Sequence, residues 1–96
     1  MKPSDTLLAS FFKRNGYFRL PDSERRKRDG SDYKKGYEIR LVAKDASELE
    51  QIRELLVAAG FKTAKAFPKG NQWIQPIYGR EAVERFCRIC KLEDPF

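Results

Sequence analysis

The succession of apolar periods and turn signals predicts an α+β domain with the element order α-β-β-α-β-β-α. Its sheet is expected to be four-stranded and antiparallel, with the helices on one face. Three observations lead there. Ninety-six residues are enough for one core and too few for two. Three stretches repeat their apolar residues at helical spacing between capping residues and glycines. Four short stretches rich in β-branched and aromatic residues lie in two pairs on either side of the middle helix, as two hairpins would.

Helix one is expected over residues 5–14. Ser4 and Asp5 are capping residue types, and Asn15-Gly16 tolerates the backbone that stops a helix. Leu7, Leu8, Phe11 and Phe12 leave this helix apolar nearly all round, so it should be buried, in part against a second copy of itself. Strand one begins at Tyr17 and runs into Pro21. The polar segment 22–35 follows, with Asp29-Gly30 as its turn signal. Strand two, residues 36–44, sets Tyr37, Ile39 and Leu41 against Glu38 and Arg40. Ser47 and Glu50 have capping-box spacing and open helix two, which carries Leu49, Ile52, Leu55, Leu56 and Ala59 to a stop at Gly60. Strand three is expected over 61–67 and a turn over 68–71. Strand four takes 72–78, and helix three opens after Gly79 with Val83, Phe86 and Cys90 on one face.

Composition narrows the function classes. Apolar residues at 41% and aromatics at 12% provide one modest core and exclude a disordered chain. No apolar run approaches the roughly 20 residues of a membrane span, and the start has no signal-peptide pattern. The expectation is a cytoplasmic, reducing environment with no membrane partner. Twenty basic residues face fourteen acidic ones, a net of +6. All of that excess lies in residues 1–44, with twelve basic and six acidic side chains, while residues 45–96 balance at eight each. An uneven positive field fits a polyanionic partner, and an ordinary solvated basic surface is the alternative. With no histidine, no glycine-rich phosphate loop and no Ser-His or Cys-His arrangement, ordinary hydrolase chemistry lacks its base. Cys87 and Cys90 have a CxxC spacing but no second pair to complete a zinc site, so they read as buried structural thiols, and no cofactor is expected. Trp73 reads as a sheet-core or rim aromatic.

The segment Leu8-Ala9-Ser10-Phe11-Phe12-Lys13-Arg14-Asn15-Gly16-Tyr17-Phe18 resembles the LAGLIDADG signature, which begins Leu-Ala-Gly and ends acid-Gly-x-Phe. Residues 37–44, the helix ending Ala59-Gly60-Phe61, and the stretch from Tyr78-Gly79 to Phe86 are similar to the rest of one repeat of that homing-endonuclease family. The likeness covers nearly the whole chain. It implies a double-stranded DNA-binding homodimer of the single-motif type, paired through helix one. Leu8, Ala9, Ser10, Phe11 and Phe12 would form that interface, with small Ala9 and Ser10 as the contact points. In active family members the acid before the motif's glycine holds the catalytic metals. Here that position is Asn15, and the other acid of the signature falls on Lys13. An amide brings no charge to Mg²⁺, so the resemblance implies a nuclease-like protein that is catalytically inactive, with Mg²⁺ relevant only to an active form. Lys44 lies near where the family places a polar residue by the cleavage centre.

On the same reading, period two puts Tyr17, Arg19, Glu38 and Arg40 on the open face of the sheet, toward the major groove. Arg19, Arg40, Gln72 and Gln75 are the base-reading candidates, although the two glutamines have opposite parity and one must point elsewhere. Arg25, Arg26, Lys27, Arg28, Lys34 and Lys35 suit phosphate contacts. Two alternatives stand beside this. One is an active endonuclease whose metal site is completed by Asp5 or Glu38. The other is an interaction module that binds RNA or an acidic protein, with Tyr17, Tyr33, Tyr37 and Tyr78 as stacking aromatics.

Overall fold

Helix α1 (Pro3–Asn15) starts two residues before its capping residues imply, because proline suits the first helical turn, where its missing N–H costs nothing. The computed structural model describes residues 3–19 and 36–93. After α1 come β1 (Tyr17–Arg19), β2 (Glu38–Ala43), α2 (Ala46–Ala58), β3 (Phe67–Lys69), β4 (Gln72–Tyr78) and α3 (Arg80–Ile89). The basic segment from Arg25 to Lys35 lies outside the described residues.

The four strands form one antiparallel sheet in the order β1-β2-β4-β3. Its centre is the β2–β4 ladder, where Ile39 faces Ile77, Leu41 faces Gln75 and Ala43 faces Trp73. Those pairs define the helix side of the sheet. Ile39, Leu41 and Ala43 are fully buried there with Leu8 of α1, Ile52 and Leu56 of α2, and Val83 and Phe86 of α3. Aromatic rings thread this core. Phe12 packs on Phe18 at 4.8 Å and on Phe86 at 6.0 Å, and Phe86 meets Phe61 at 5.8 Å. Each offset pair adds about 0.5–1.5 kcal/mol beyond its buried area.

Helix α2 starts two residues earlier than a cap at Ser47 implies. Its N-cap is Asp45, whose Oδ1 accepts the Glu48 N–H at 2.8 Å. Helix α2 stops at Gly60, as expected. The Gly60 N–H donates to the Val57 carbonyl and the Phe61 N–H to Leu56, with Gly60 at φ +84°, a left-handed stop that glycine adopts without strain.

Strand three differs from expectation. Residues 61–66 form no strand, and β3 is confined to Phe67–Lys69, closing on β4 through a two-residue Gly70-Asn71 turn. The reason is long-range. The Ala64 carbonyl accepts from the side chains of Gln75 at 2.8 Å and Arg53 at 3.0 Å, so the segment is held by side chains instead of a backbone ladder. Strand four and helix three lie where the sequence places them. Among the described residues no helix is long and apolar enough to cross a membrane.

Candidate nucleic-acid interface

The strand register lays out the face opposite the helices row by row. Tyr17, Arg40 and Pro76 form one cross-strand row, and Arg19, Glu38 and Tyr78 form the next. Toward the other end, Val42, Ile74 and Phe67 make a third row, with Lys69 beside Gln72 beyond it. Val42 and Ile74 are only 5% and 1% exposed although they point away from the helices. Long side chains of this face are knit together beside them. Arg40 donates from Nε to Glu38 Oε2 at 2.6 Å and from Nη1 to the Tyr17 hydroxyl at 3.5 Å, while its guanidinium lies 5.1 Å over the Phe67 ring. The Lys69 ammonium sits 5.6 Å from the centre of the Tyr17 ring. Burial alone would raise the Tyr17 phenol. Hydrogen bonds and charge from Arg40 and Lys69 outweigh it and leave the hydroxyl more acidic than an ordinary tyrosine.

Beside this cluster is a cleft of about 670 Å³ lined by Asn15, Tyr17, Val42, Lys69, Gly70, Asn71, Gln72 and Ile74. The end of α1 and the open sheet face therefore share one concave surface. Gly16 makes the junction possible. A Cβ there would fall 2.8 Å from the Phe12 Cα, so only glycine lets the chain turn this closely from helix to strand.

The base-reading candidates separate on this geometry. Gln72 is exposed on the cleft. Gln75 is fully buried on the helix side, where its Oε1 accepts from Arg53 at 2.6 Å and its Nε2 donates to Ala64 and Pro76. Its amide is fully committed to the fold, which removes it from the candidates. Arg40 is half-buried and tethered by Glu38, so its orientation is fixed in advance. Arg19 is half-buried in the row of Glu38 and Tyr78, and Lys44 is exposed just beyond β2. Arg25, Arg26, Lys27, Arg28, Lys34 and Lys35 lie outside the described residues. Phe67 and Lys69 were missed by sequence reasoning, because displacing strand three hid their parity.

The residues around Asn15 do not fit a divalent-metal site. Asp5 is ten residues back along α1, roughly 15 Å at a helix's rise of about 1.5 Å per residue. Glu38 is held by Arg40. Beside Asn15, Arg14 is committed to the fold: it donates through both terminal nitrogens to the buried Glu48 carboxylate, Nη1 to Oε2 at 3.2 Å, and also to the Val42 carbonyl at 3.1 Å. Those hydrogen bonds hold the Glu48 carboxyl below its ordinary range against the opposing effect of burial.

Leu8 is fully buried and Ala9 is 7% exposed, both in the chain's own core, and Phe12 packs on Phe18 and Phe86. Phe12 is half-buried at the margin of that core. The exposed residues of α1 on the other side are Leu7, Ser10 and Arg14, with half-buried Phe11 among them at helical spacing. Leu7 is 42% exposed, Phe11 lies 5.3 Å beneath the Arg14 guanidinium, and the Ser10 hydroxyl donates to the Thr6 carbonyl. Cys87 and Cys90 are both buried and are not joined in a disulfide. Comparison of the chain with protein families, with curated proteins and with solved structures finds no match.

Proposed function

We propose that this chain binds double-stranded DNA through the open face of its sheet, as a homodimer paired at α1, in the manner of single-motif LAGLIDADG homing endonucleases but without cleavage. One observation carries the reading. Tyr17, Arg19, Arg40, Lys69 and Gln72 share the face away from the helices, and its cleft takes in Asn15, the residue at the family's metal-ligand position. Donors and cations on a twisted sheet suit a groove lined by phosphates and base edges. Pairing would use Leu7, Ser10 and Phe11, the side of α1 that the chain leaves outward.

The RNA reading is weaker on the same residues. Stacking needs open aromatic faces. Lys69 covers the Tyr17 ring, Arg40 covers Phe67, and Arg80 lies over Tyr37, which itself packs against the core. Tyr33 is outside the described residues, which leaves Tyr78, 56% exposed, as the open ring among the described tyrosines on this face.

The test is fluorescence anisotropy with random-sequence duplex DNA and with single-stranded RNA of equal length, alongside light scattering. Expected are a dimer mass and duplex affinity that falls steeply with salt. Tighter binding of RNA, or no duplex binding at low salt, overturns the reading.

A further inference from the structure

The open face contains a charge arrangement that the fold does not need. Two cations converge on Tyr17: Arg40, from the neighbouring strand, on its hydroxyl, and Lys69, from the β3–β4 hairpin, 5.6 Å from the centre of its ring. Among the described residues one carboxylate, Glu38, accompanies them; it takes the Nε edge of Arg40 and lies in the cross-strand row on the other side of Arg40 from Lys69. Like charges drawn together over the apolar Val42 and Ile74 repel one another more strongly than they would in open water. Among the described residues lining the cleft, Lys69 has the only charge, so no acid there balances it.

We propose that Tyr17, Arg40 and Lys69 form a subsite for a single phosphate group, which on the DNA-binding reading is a phosphodiester of the duplex backbone. Each residue has a separate role. Lys69, exposed on the hairpin, supplies a mobile point charge, and Arg40, anchored by Glu38 and stacked on Phe67, supplies a fixed one. The Tyr17 hydroxyl accepts from Arg40 in the structure and turns its own proton toward an arriving oxygen. Gln72, paired with Lys69 across the hairpin, then lies next to the phosphate on the cleft, placed to reach a base edge. The assignment makes Arg40 a backbone contact and not a base reader, and it gives the hairpin turn a part in setting register on the duplex.

This subsite rests on the DNA-binding reading only for its ligand's source, and inorganic phosphate separates the two. Amide and Tyr17 ring shifts are followed by NMR as phosphate is added to the protein, its Lys69→Gln variant and a Lys65→Gln control on an exposed lysine outside the cleft. Saturable shifts at Tyr17, Lys69 and Gly70 that persist in Lys65→Gln and vanish in Lys69→Gln are expected. Shifts scattered over all exposed lysines, or unchanged by Lys69→Gln, overturn the subsite. With duplex DNA, Lys69→Gln should lower the slope of log K against log salt by about 0.9 per subunit, one phosphate's worth. Normal duplex binding with an unchanged slope overturns the subsite and leaves the DNA reading standing. Absent duplex binding with the phosphate shifts intact removes the DNA reading and supports the anion site.

Discussion

Arg14 reaches from the end of α1 to Glu48 in the first turn of α2, so two helices that meet over the sheet are tied by a two-pronged ion pair. Glu48 also accepts the Lys44 N–H at 3.1 Å, and Arg14 also holds the Val42 carbonyl. One guanidinium and one carboxylate thus satisfy both the helix start and the end of β2.

The pair should show in acid. Glu48's folded carboxyl is more acidic than the unfolded group, ordinarily near about 4.3, so its contribution is complete above that pH and is lost as pH falls through the lower folded value. Glu48→Gln should cost about 1–2 kcal/mol at pH 7, a figure kept modest because the Arg14 side chain is 41% exposed. Urea unfolding across pH 2–7 should show the gap between variant and parent narrowing below about pH 4. A gap that stays constant to pH 2 contradicts the pairing.

Cys90 predicts the opposite limb. Burial pushes its thiol up to about 12, with its Sγ 3.7 Å from the Asp5 carbonyl. A raised folded value means that stability is full below the unfolded pKa, about 8.5, and falls as pH rises toward 12. Cys90→Ala should flatten that alkaline decline. Native protein should also react with a thiol reagent at pH 8 far more slowly than protein in denaturant, and fast labelling of the native state contradicts the burial.

Gly16→Ala tests the helix-to-strand junction. The added methyl must displace the Phe12 backbone, at a cost of about 1–3 kcal/mol, and should also disturb the cleft that Asn15 and Tyr17 line. Thermal unfolding measures the first effect. An unchanged midpoint shows that the close approach relaxes freely.

For assembly, Leu7→Lys should yield monomer without loss of stability, because Leu7 lies outside the core. Ala9→Leu, by contrast, should destabilise the fold itself by overpacking, since Ala9 is buried within its own chain. Light scattering and urea unfolding together separate the two outcomes. A dimer that survives Leu7→Lys places the pairing elsewhere.

For catalysis, plasmid DNA should remain uncut with Mg²⁺ or Mn²⁺, since Asn15 offers an amide where charge is needed. Asn15→Asp should add weak metal binding, measurable by calorimetry. Robust cleavage by the parent protein, with Asn15 shown by mass spectrometry to be undeamidated, contradicts the inactive reading.

Elements whose period and turn residues agree were legible in the chain. Residues 72–78 lie between a Gly-Asn turn and Gly79, and β4 occupies that span. The alternation of Ile39 and Leu41 against Glu38 and Arg40 gave the two faces of β2 directly. Helix α1 was legible as a helix but not in its facing, because Leu7-Leu8 and Phe11-Phe12 are adjacent pairs and either member could turn inward. Strand three failed because its competitor, the Gln75 amide, is eleven residues away and invisible to local propensity. That misplacement concealed Lys69, one of the two cations beside Tyr17.

The strand order has a kinetic consequence. The central ladder joins Ile39 to Ile77, so the middle of the sheet cannot close until α2 and the β3–β4 hairpin have brought the chain back on itself. Loop closure of that length slows folding, and each hairpin alone has one of its edges unpaired until the other arrives. During synthesis β2 emerges well before β4, so the backbone edge of β2 that pairs with β4 stays open until residue 78 has cleared the ribosome. The nascent chain is therefore most exposed to misassociation between the emergence of β2 and that of β4.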